Sequence, residues 1–261
     1  MGGAVTVAAL QAMKREGRKI VGVVVYDYQI AQIVDRAGVD IVSVGDSVGV
    51  NLWGQTSELE VTLDQMLLAC QAVRRGVKRA LVSCDFPHGP LQEGIEPAVR
   101  AAVRLVKDAG ADVVKLDDAP AWPEAVQAIT RAGIPVWAQF GITPPTTAGV
   151  PSVDLAAARK DHLVGEARRL EAAGSALLDF RWSGPVAGEA VTNAVAIPVI
   201  GGLGGGPWLD GRVRAVVNAI GYLASAIDDN ADRYANVARI AYEAIQTYAD
   251  DVRNARQIKG K

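Results

Sequence analysis

Apolar and polar positions along this chain follow a repeated unit, in which one helix is followed by one short buried strand. Four times a helical segment ends in Ala-Gly, and a run rich in Val and Ile follows that stops at a polar or acidic residue. Glycine suits the position after the last helical turn because it adopts the left-handed conformation without a Cβ clash. Short, continuously apolar runs are typical of parallel strands that are buried on both faces. The four pairs are Ala37-Gly38, Ala109-Gly110, Ala132-Gly133 and Ala173-Gly174.

The repeat predicts an α/β fold, a single (β/α)8 TIM barrel domain over residues 1–261 with an N-terminal helix and a C-terminal helical extension. The first helix runs from Thr6 to Arg15, and the extension covers 229–256 with one apolar face, which favours contacts between subunits. Other helices are expected at 28–37, 62–75, 96–109, from 123 and at 163–173, with long loops at 48–61 and 141–161. The strands are expected at 20–26, up to 46, at 79–84, up to 117, up to 139, up to 179, at 198–201 and at 213–217.

Composition excludes several classes of partner. Half of the residues are apolar, and the net charge of −2 gives no basic surface for nucleic acid. No apolar run reaches the ~18–20 residues of a membrane-spanning helix, and the N-terminus lacks the pattern of a signal peptide. The two cysteines, Cys70 and Cys84, are too few for a disulfide framework or a zinc cluster. We therefore expect a cytoplasmic protein that binds neither nucleic acid nor a membrane.

Three predicted strands in succession end in aspartate, at Asp46, Asp85 and Asp117. In a barrel these strand ends lie on one rim, where enzymes of this fold carry their active sites. Three converging carboxylates repel one another unless a cation lies between them, and oxygen ligands favour Mg²⁺ or another hard divalent ion. The alternative is that each aspartate caps the helix that follows it.

Further polar residues are expected at the same rim. Lys115 precedes Asp117 by two residues and shares its face of the strand, so it can hold a substrate carboxylate or enolate; a core salt bridge is the alternative. Asp179, at the end of the sixth strand, is the candidate general base. Ser47 can donate to a substrate oxygen, and Gln139, at the end of the fifth strand, is expected to contact the substrate.

Four tryptophans fall in the predicted strand-to-helix connections of this rim. Together they suggest a rim that suits an apolar or planar ligand, while core packing is the alternative for each one. They are Trp53, Trp122, Trp182 and Trp208.

Several segments resemble one enzyme family in a single collinear order, from about Thr6 to Val213. The chain resembles ketopantoate hydroxymethyltransferase, one of the Mg²⁺-dependent barrels that include phosphoenolpyruvate mutase and isocitrate lyase. This resemblance implies a (β/α)8 barrel, a decameric homo-oligomer, Mg²⁺ and a one-carbon unit from 5,10-methylenetetrahydrofolate. The segments that carry it include Val44-Gly45-Asp46-Ser47-Val48-Gly49, Val61-Thr62-Leu63-Asp64-Gln65-Met66, Val114-Lys115-Leu116 and Ile197-Pro198-Val199-Ile200-Gly201.

The resemblance also implies roles for individual residues. Asp46 and Asp85 match the metal-binding aspartates of the family, which position the 2-oxo acid, and Ser47 and Lys115 match its substrate-contacting serine and lysine. A base removes a β-proton, and the resulting enolate attacks the one-carbon unit.

Departures from the family pattern affect the part of the site that would hold the one-carbon unit and the side chain of the substrate. Asp117 and Asp179 stand where the family has glutamates, and Gln139 stands where it has a histidine at the end of the fifth strand. A different segment, 150–160, replaces a family loop after that strand. We therefore expect Mg²⁺-dependent aldol-type chemistry on a 2-oxo acid, with either a one-carbon unit or another aldehyde as acceptor. The alternatives are a lyase that cleaves C–C or P–C bonds in a 2-oxo or 2-hydroxy acid, and a non-catalytic barrel.

Overall fold

Eight parallel strands form a closed barrel, and they follow one another around it in sequence order. The computed structural model describes residues 3–142 and 153–260. The prediction of a (β/α)8 barrel is therefore confirmed. The strands are β1 Ile20–Val25, β2 Ile41–Val44, β3 Leu81–Asp85, β4 Val113–Leu116, β5 Val136–Gly141, β6 Leu177–Arg181, β7 Val199–Gly201 and β8 Gly211–Ala215.

Helices connect successive strands from β1 to β7, whereas residues 202–210 connect β7 to β8 without a helix, and local signals in the sequence explain where the helices start. Thr6 caps the first helix by accepting from the backbone N–H of Ala9, and Thr62 and Gln65 form a complete capping box at another. Pro123 begins a helix, where its missing N–H has no partner to lose. The helices are α1 Val7–Arg15, α2 Tyr28–Arg36, α3 Val48–Trp53, α4 Leu63–Gly76, α5 His88–Gln92, α6 Ile95–Lys107, α7 Pro123–Arg131, α8 Val153–Ala158, α9 Lys160–Ala172, α10 Gly184–Ala194, α11 Val216–Ala219 and α12 Val237–Arg253.

The structure corrects several boundaries. The predicted loop 48–61 contains α3 and a 3₁₀ turn at Glu58–Glu60, and the end of the predicted loop 141–161 is helical. Helix α10 has no counterpart in the prediction. Strand β6 continues past Asp179 to Arg181, which brings one more inward-facing residue to the rim. The central part of the predicted loop, 143–152, lies outside the described residues.

The chain divides into two compact units, residues 1–214 and residues 215–261. The first unit contains nearly the whole barrel and every site residue that the sequence predicts. In the second, α12 has one face of exposed apolar side chains, among them Ile240 and Ile245. That the chain forms one domain stays a prediction. Among the described residues, no helix has both the length and the apolar character needed to span a membrane.

Apolar side chains fill the N-terminal end of the barrel. Strand alternation points them inward, and Leu10 and Met13 of α1 pack against them from below. Trp137 is the largest of these side chains and is fully buried. The strand residues of this layer are Ile20, Ile41, Leu81, Val113, Trp137, Leu177, Ile200 and Val213.

On the five strands from β2 to β6, the next inward-facing position, two residues further along the strand, is polar. Ser83 donates to Ser43 across 2.7 Å inside the barrel, and both side chains are buried. Lys115, Gln139 and Asp179 are the corresponding residues on β4, β5 and β6; Gln139 is paired with Asp179 across the two strands, and all three are buried. The interior of the barrel therefore changes from an apolar plug to a polar chamber over two residues along these strands.

Candidate active site

Lys115 lies among three carboxylates at the C-terminal end of the barrel. Its Nζ is 2.6 Å from Oδ1 of Asp117, 3.6 Å from Oδ2 of Asp85 and 3.7 Å from Oδ2 of Asp179. Burial alone would lower the pKa of Lys115, but the three carboxylates outweigh it and raise that pKa. The ammonium is therefore charged at neutral pH and links β3, β4 and β6.

Asp179 is the buried carboxylate on the sixth strand that the sequence predicts as a base. Only 4% of the residue is exposed, and its Oδ1 accepts from the backbone N–H of Gly202 at 3.0 Å. Burial raises the pKa of Asp179, while Lys115 and the Gly202 N–H oppose that rise. A carboxylate with a raised pKa, held in one orientation, is suited to accept a proton.

The surroundings of Asp46 and Asp85 oppose the ionisation of these carboxyl groups more strongly than Lys115 favours it. Burial, followed by the charge of Asp117, raises the pKa of Asp46 to about 6. Burial also raises the pKa of Asp85, although Lys115 opposes it, and Oδ1 of Asp85 is buried without a hydrogen-bond partner in the described structure. Buried carboxylates in this state are typical of a site that takes up a cation or protons.

Asp117 is the exception among the three predicted metal ligands. Burial would raise its pKa, but Lys115 outweighs burial and lowers it. Within the described residues, no group of three or more carboxylate, imidazole or thiol side chains is close enough to bind a metal ion together. Asp46 and Asp85 have the unsatisfied charge that Mg²⁺ would neutralise, with water and substrate oxygens completing its coordination. Asp117 is already engaged by Lys115.

Ser47 lies beside Asp46 and belongs to a short hydrogen-bond chain. Its Oγ is 3.0 Å from the hydroxyl of Tyr26, and Nδ2 of Asn51 donates to that same hydroxyl at 3.0 Å. Burial raises the pKa of Tyr26, which keeps the phenol neutral. If the phenol donates to Ser47, the serine hydroxyl hydrogen is available to a ligand.

Gln139 contacts a residue that the sequence analysis missed. Its Oε1 accepts from Nη1 of Arg181 at 3.0 Å, and its side chain hydrogen-bonds Asp117, where it lowers the pKa of that carboxylate. Arg181 was missed because the sixth strand was predicted to end at Asp179. Strand alternation, which places residues 177, 179 and 181 on one face, is the signal that could have identified it.

Two of the four rim tryptophans have structural roles. Trp208 donates from Nε1 to Oγ of Ser183 at 2.8 Å and packs against glycines whose Cβ atoms it would exclude. Trp182 packs in the same way against Gly204. Trp53 is 41% exposed at the end of α3. Core packing therefore explains Trp182 and Trp208 better than contact with a ligand.

Sequence comparison gives one family over nearly the whole chain. A family profile described as ketopantoate hydroxymethyltransferase matches residues 4–257. The 3-methyl-2-oxobutanoate hydroxymethyltransferase of Cyanothece sp. is 38% identical over 252 residues, which cover 95% of this chain and 96% of that protein. The enzyme of the same name from Salinibacter ruber is 37% identical, covering 96% of this chain and 95% of that protein.

Comparison with solved structures supports the barrel at the level of the fold. A proposed phosphonomutase from Burkholderia cenocepacia superposes with a TM-score of 0.63 at 19% identity, covering 95% of this chain and 99% of that one. The carboxyl transferase domain of Rhizobium etli pyruvate carboxylase, solved with oxamate and biotin, superposes with a TM-score of 0.57 at 15% identity. The match covers 97% of this chain and 52% of that one. At these identities the likeness shows a shared fold alone.

Proposed function

Because the chain belongs to the ketopantoate hydroxymethyltransferase family, we propose that it is a hydroxymethyltransferase that activates a 2-oxo acid as its enolate. The enolate then attacks a one-carbon unit, which we assign to 5,10-methylenetetrahydrofolate. The observation that carries this proposal is the pair formed by Asp179 and Lys115, a buried carboxylate with a raised pKa and an ammonium 3.7 Å from it. One group can take the proton and the other can oppose the negative charge that results.

Asp179 is proposed to accept a proton from C3 of the bound 2-oxo acid. The C–H bond breaks, the proton goes to the carboxylate and the electron pair is delocalised onto the carbonyl oxygen. The Gly202 N–H at 3.0 Å holds Oδ1 in place, so the carboxylate meets the substrate in a fixed orientation. Burial excludes water from the carboxylate and favours its protonated form after the transfer.

Lys115 and Ser47 are proposed to hold the oxygen atoms of the substrate. Lys115 offers a buried positive charge where negative charge develops, which is the type of stabilisation that accelerates enolate formation most. The Ser47 hydroxyl, oriented by Tyr26, donates to the substrate carboxylate. Gln139 would contact the substrate from the opposite side of the barrel, next to Asp117.

Mg²⁺ is proposed to bind at Asp46 and Asp85, where unbalanced carboxylate charge is concentrated. Asp117 would contribute only through its second oxygen, since Lys115 holds Oδ1. When bound, the ion would polarise the carbonyl group and neutralise negative charge on its oxygen. We also propose a homo-oligomer, with the exposed apolar face of α12 in the contact between subunits.

Deuterium exchange tests the first half of this reaction without the acceptor. The protein is incubated with 3-methyl-2-oxobutanoate and Mg²⁺ in D2O, and the C3 proton is followed by NMR. We expect exchange that needs both protein and Mg²⁺ and that Asp179→Asn reduces by at least about 100-fold, as for loss of a general base. Addition of 5,10-methylenetetrahydrofolate should then yield the hydroxymethylated acid. If neither this acid nor any other 2-oxo acid exchanges, the proposed function is wrong.

A further inference from the structure

Arg181 is a partly buried cation at the end of β6 without a described carboxylate partner. Its Nη1 donates to the neutral amide oxygen of Gln139 at 3.0 Å. Within residues 3–142 and the described side chains of 155–260, no carboxylate oxygen lies within 4.0 Å of the guanidinium, whereas Lys115 has three. A guanidinium has five N–H donors in a planar fork that matches a carboxylate. Among the described residues, Gln139 accepts from one of these donors.

The backbone of Arg181 is held closely by the neighbouring strand. Gly141 of β5 has φ +129°, and a Cβ at that position would lie 2.3 Å from the carbonyl oxygen of Arg181. The backbone N–H of Ile142 donates to the same oxygen at 3.2 Å. The end of β6 therefore has a fixed position, and Gln139 fixes the side chain that leaves it. A donor group held in this way is preorganised to bind an anion.

Arg181 also lies close to the proposed base. It follows Asp179 by two residues, on the same face of β6. Burial raises the pKa of Asp179, and the charge of Arg181, after that of Lys115, favours the ionised forms of both Asp179 and Asp117. Asp179 is proposed to act on C3 of the 2-oxo acid, while the α-carboxylate is assigned to Ser47 and Lys115. A substrate oriented in this way would direct the atoms beyond C3 toward the end of β6.

We propose that Arg181, oriented by Gln139, forms a subsite for a second carboxylate, carried by the side chain of the 2-oxo acid. The preferred substrates would then be dicarboxylic 2-oxo acids rather than acids with an apolar side chain. This inference rests on the proposed function, since it assumes that Asp179 and Lys115 activate C3. It assigns a positive subsite to the part of the pocket where the family histidine is replaced by Gln139.

The test compares two acids that differ only in the charge of the distal group. 2-Oxoglutarate ends in a carboxylate, and 5-methyl-2-oxohexanoate has an isopropyl group of similar shape in its place. Exchange of the C3 protons in D2O with Mg²⁺ is measured for both acids, without an acceptor. We expect the wild-type protein to exchange 2-oxoglutarate about 10- to 100-fold more efficiently, the range typical of one charge-assisted pair.

Three variants locate the origin of that ratio. Arg181→Met keeps the aliphatic stem and should bring the ratio to about 1, mainly by raising the KM for 2-oxoglutarate. Arg181→Lys keeps the charge without the fork and should keep part of the ratio. Arg75→Met removes an exposed arginine on α4 and controls for the change in net charge. Thermal unfolding by circular dichroism confirms that each variant is folded.

The outcomes separate this inference from the proposed function. The proposed subsite is wrong if 5-methyl-2-oxohexanoate exchanges as fast as 2-oxoglutarate in the wild-type protein, or if Arg181→Met leaves the ratio of the two exchange rates unchanged. The proposed function stands in either case. A ratio that stays constant while Arg181→Met slows only the complete reaction would place the arginine at the acceptor, and would also overturn the inference. If no 2-oxo acid exchanges at all, the proposed function fails first.

Discussion

Asp46 is a partly buried carboxylate whose ionisation is opposed by its surroundings. Its pKa of about 6 lies above the ordinary value of 3.8, so the folded protein binds more protons than the unfolded chain between these values. Stability therefore falls as pH rises through this window. At neutral pH the difference corresponds to at most about 3 kcal/mol. Residues that serve a reaction commonly reduce stability in this way.

Asp46→Asn is accordingly expected to stabilise the metal-free protein while it removes turnover. In urea unfolding with EDTA, the gain should be up to about 3 kcal/mol at pH 7.5 and should vanish near pH 4, where the wild-type carboxyl is also protonated. Asp232→Asn, at an exposed position in the second unit, is the matched control and should change little. Equal stability of Asp46→Asn and wild type at pH 7.5 would contradict the strain that we assign to this carboxylate.

Lys115 has the opposite role, since it compensates charge that would otherwise be buried alone. Lys115→Met leaves Asp85, Asp117 and Asp179 without their common cation. This change should lower the free energy of unfolding by about 3–5 kcal/mol at neutral pH. The carboxylate pKa values would rise in the variant, so the loss should shrink as pH falls from 7 to 5. Urea unfolding at both pH values measures it. A loss that does not depend on pH would mean that packing of the lysine stem dominates.

Asp35 shows how one side chain joins two elements of the barrel. From α2 it accepts the backbone N–H groups of Lys78, Arg79 and Ala80 at 2.9, 3.1 and 2.8 Å, immediately before β3 begins. Burial would raise its pKa, but these donors together outweigh burial and lower it. The charged form therefore stabilises the fold above the unfolded pKa, and this contribution is lost as pH falls through the folded value.

Asp35→Asn should cost about 2 kcal/mol at pH 7, because the amide has one acceptor oxygen for three donors. The difference in the free energy of unfolding between the variant and the wild-type protein should become smaller below pH 4. Urea unfolding at a series of pH values from 7 downward measures it. Asp27→Asn is the control on the same helix: Asp27 caps α2, and asparagine caps equally well. Similar losses in both variants would show that charge on α2, rather than the link to β3, is responsible.

Gly141 joins β5 and β6 at the rim through a close backbone approach. Gly141→Ala would place a Cβ 2.3 Å from the Arg181 carbonyl oxygen and should cost about 3 kcal/mol, because backbone must move. Gly133→Ala also has positive φ but open space around it, and should cost only about 1 kcal/mol. The thermal unfolding midpoints of the Gly141→Ala and Gly133→Ala variants measure this difference in stability. Exchange of 2-oxoglutarate should fall in Gly141→Ala alone.

Sequence reasoning recovered the elements whose boundaries are encoded locally. Ala-Gly helix ends and Thr caps located most of the β/α units, and strand ends located Asp46, Asp85 and Asp179. It missed α3 and α10 because their sequences contain glycines and, in α10, a proline, and neither begins with a side-chain cap. The ion pairs of Lys115 and the contact between Gln139 and Arg181 depend on how neighbouring strands align, which no local pattern reports.

At the scale of the whole molecule, α12 is the described helix along which several large apolar side chains are exposed in succession. Ile240 is 64% and Ile245 66% exposed, one at each side of the apolar face of the helix. The double variant Ile240→Glu with Ile245→Glu should lower the molecular mass in solution, as measured by light scattering after size-exclusion chromatography. Gln246→Glu with Arg253→Gln changes the charge by the same amount on the opposite, exposed face of α12 and should leave the mass unchanged. If the molecular mass is unchanged in both double variants, the apolar face of α12 does not form the contact between subunits.

Among the described residues, the apolar plug closes the N-terminal end of the barrel, so the polar chamber opens toward the C-terminal end of the strands. Leu10 and Met13 of α1, with the side chains packed above them, close the other end. Both reactants and the product must then pass through one opening, and whatever binds deepest must enter first. The 2-oxo acid is proposed to bind at the deeper residues, so turnover should follow a compulsory order: the acceptor binds second, and excess acceptor inhibits in competition with the 2-oxo acid. Initial-rate kinetics with both reactants varied would show this order. With the proposed one-carbon donor as acceptor, the product should depart only after the spent carrier has left.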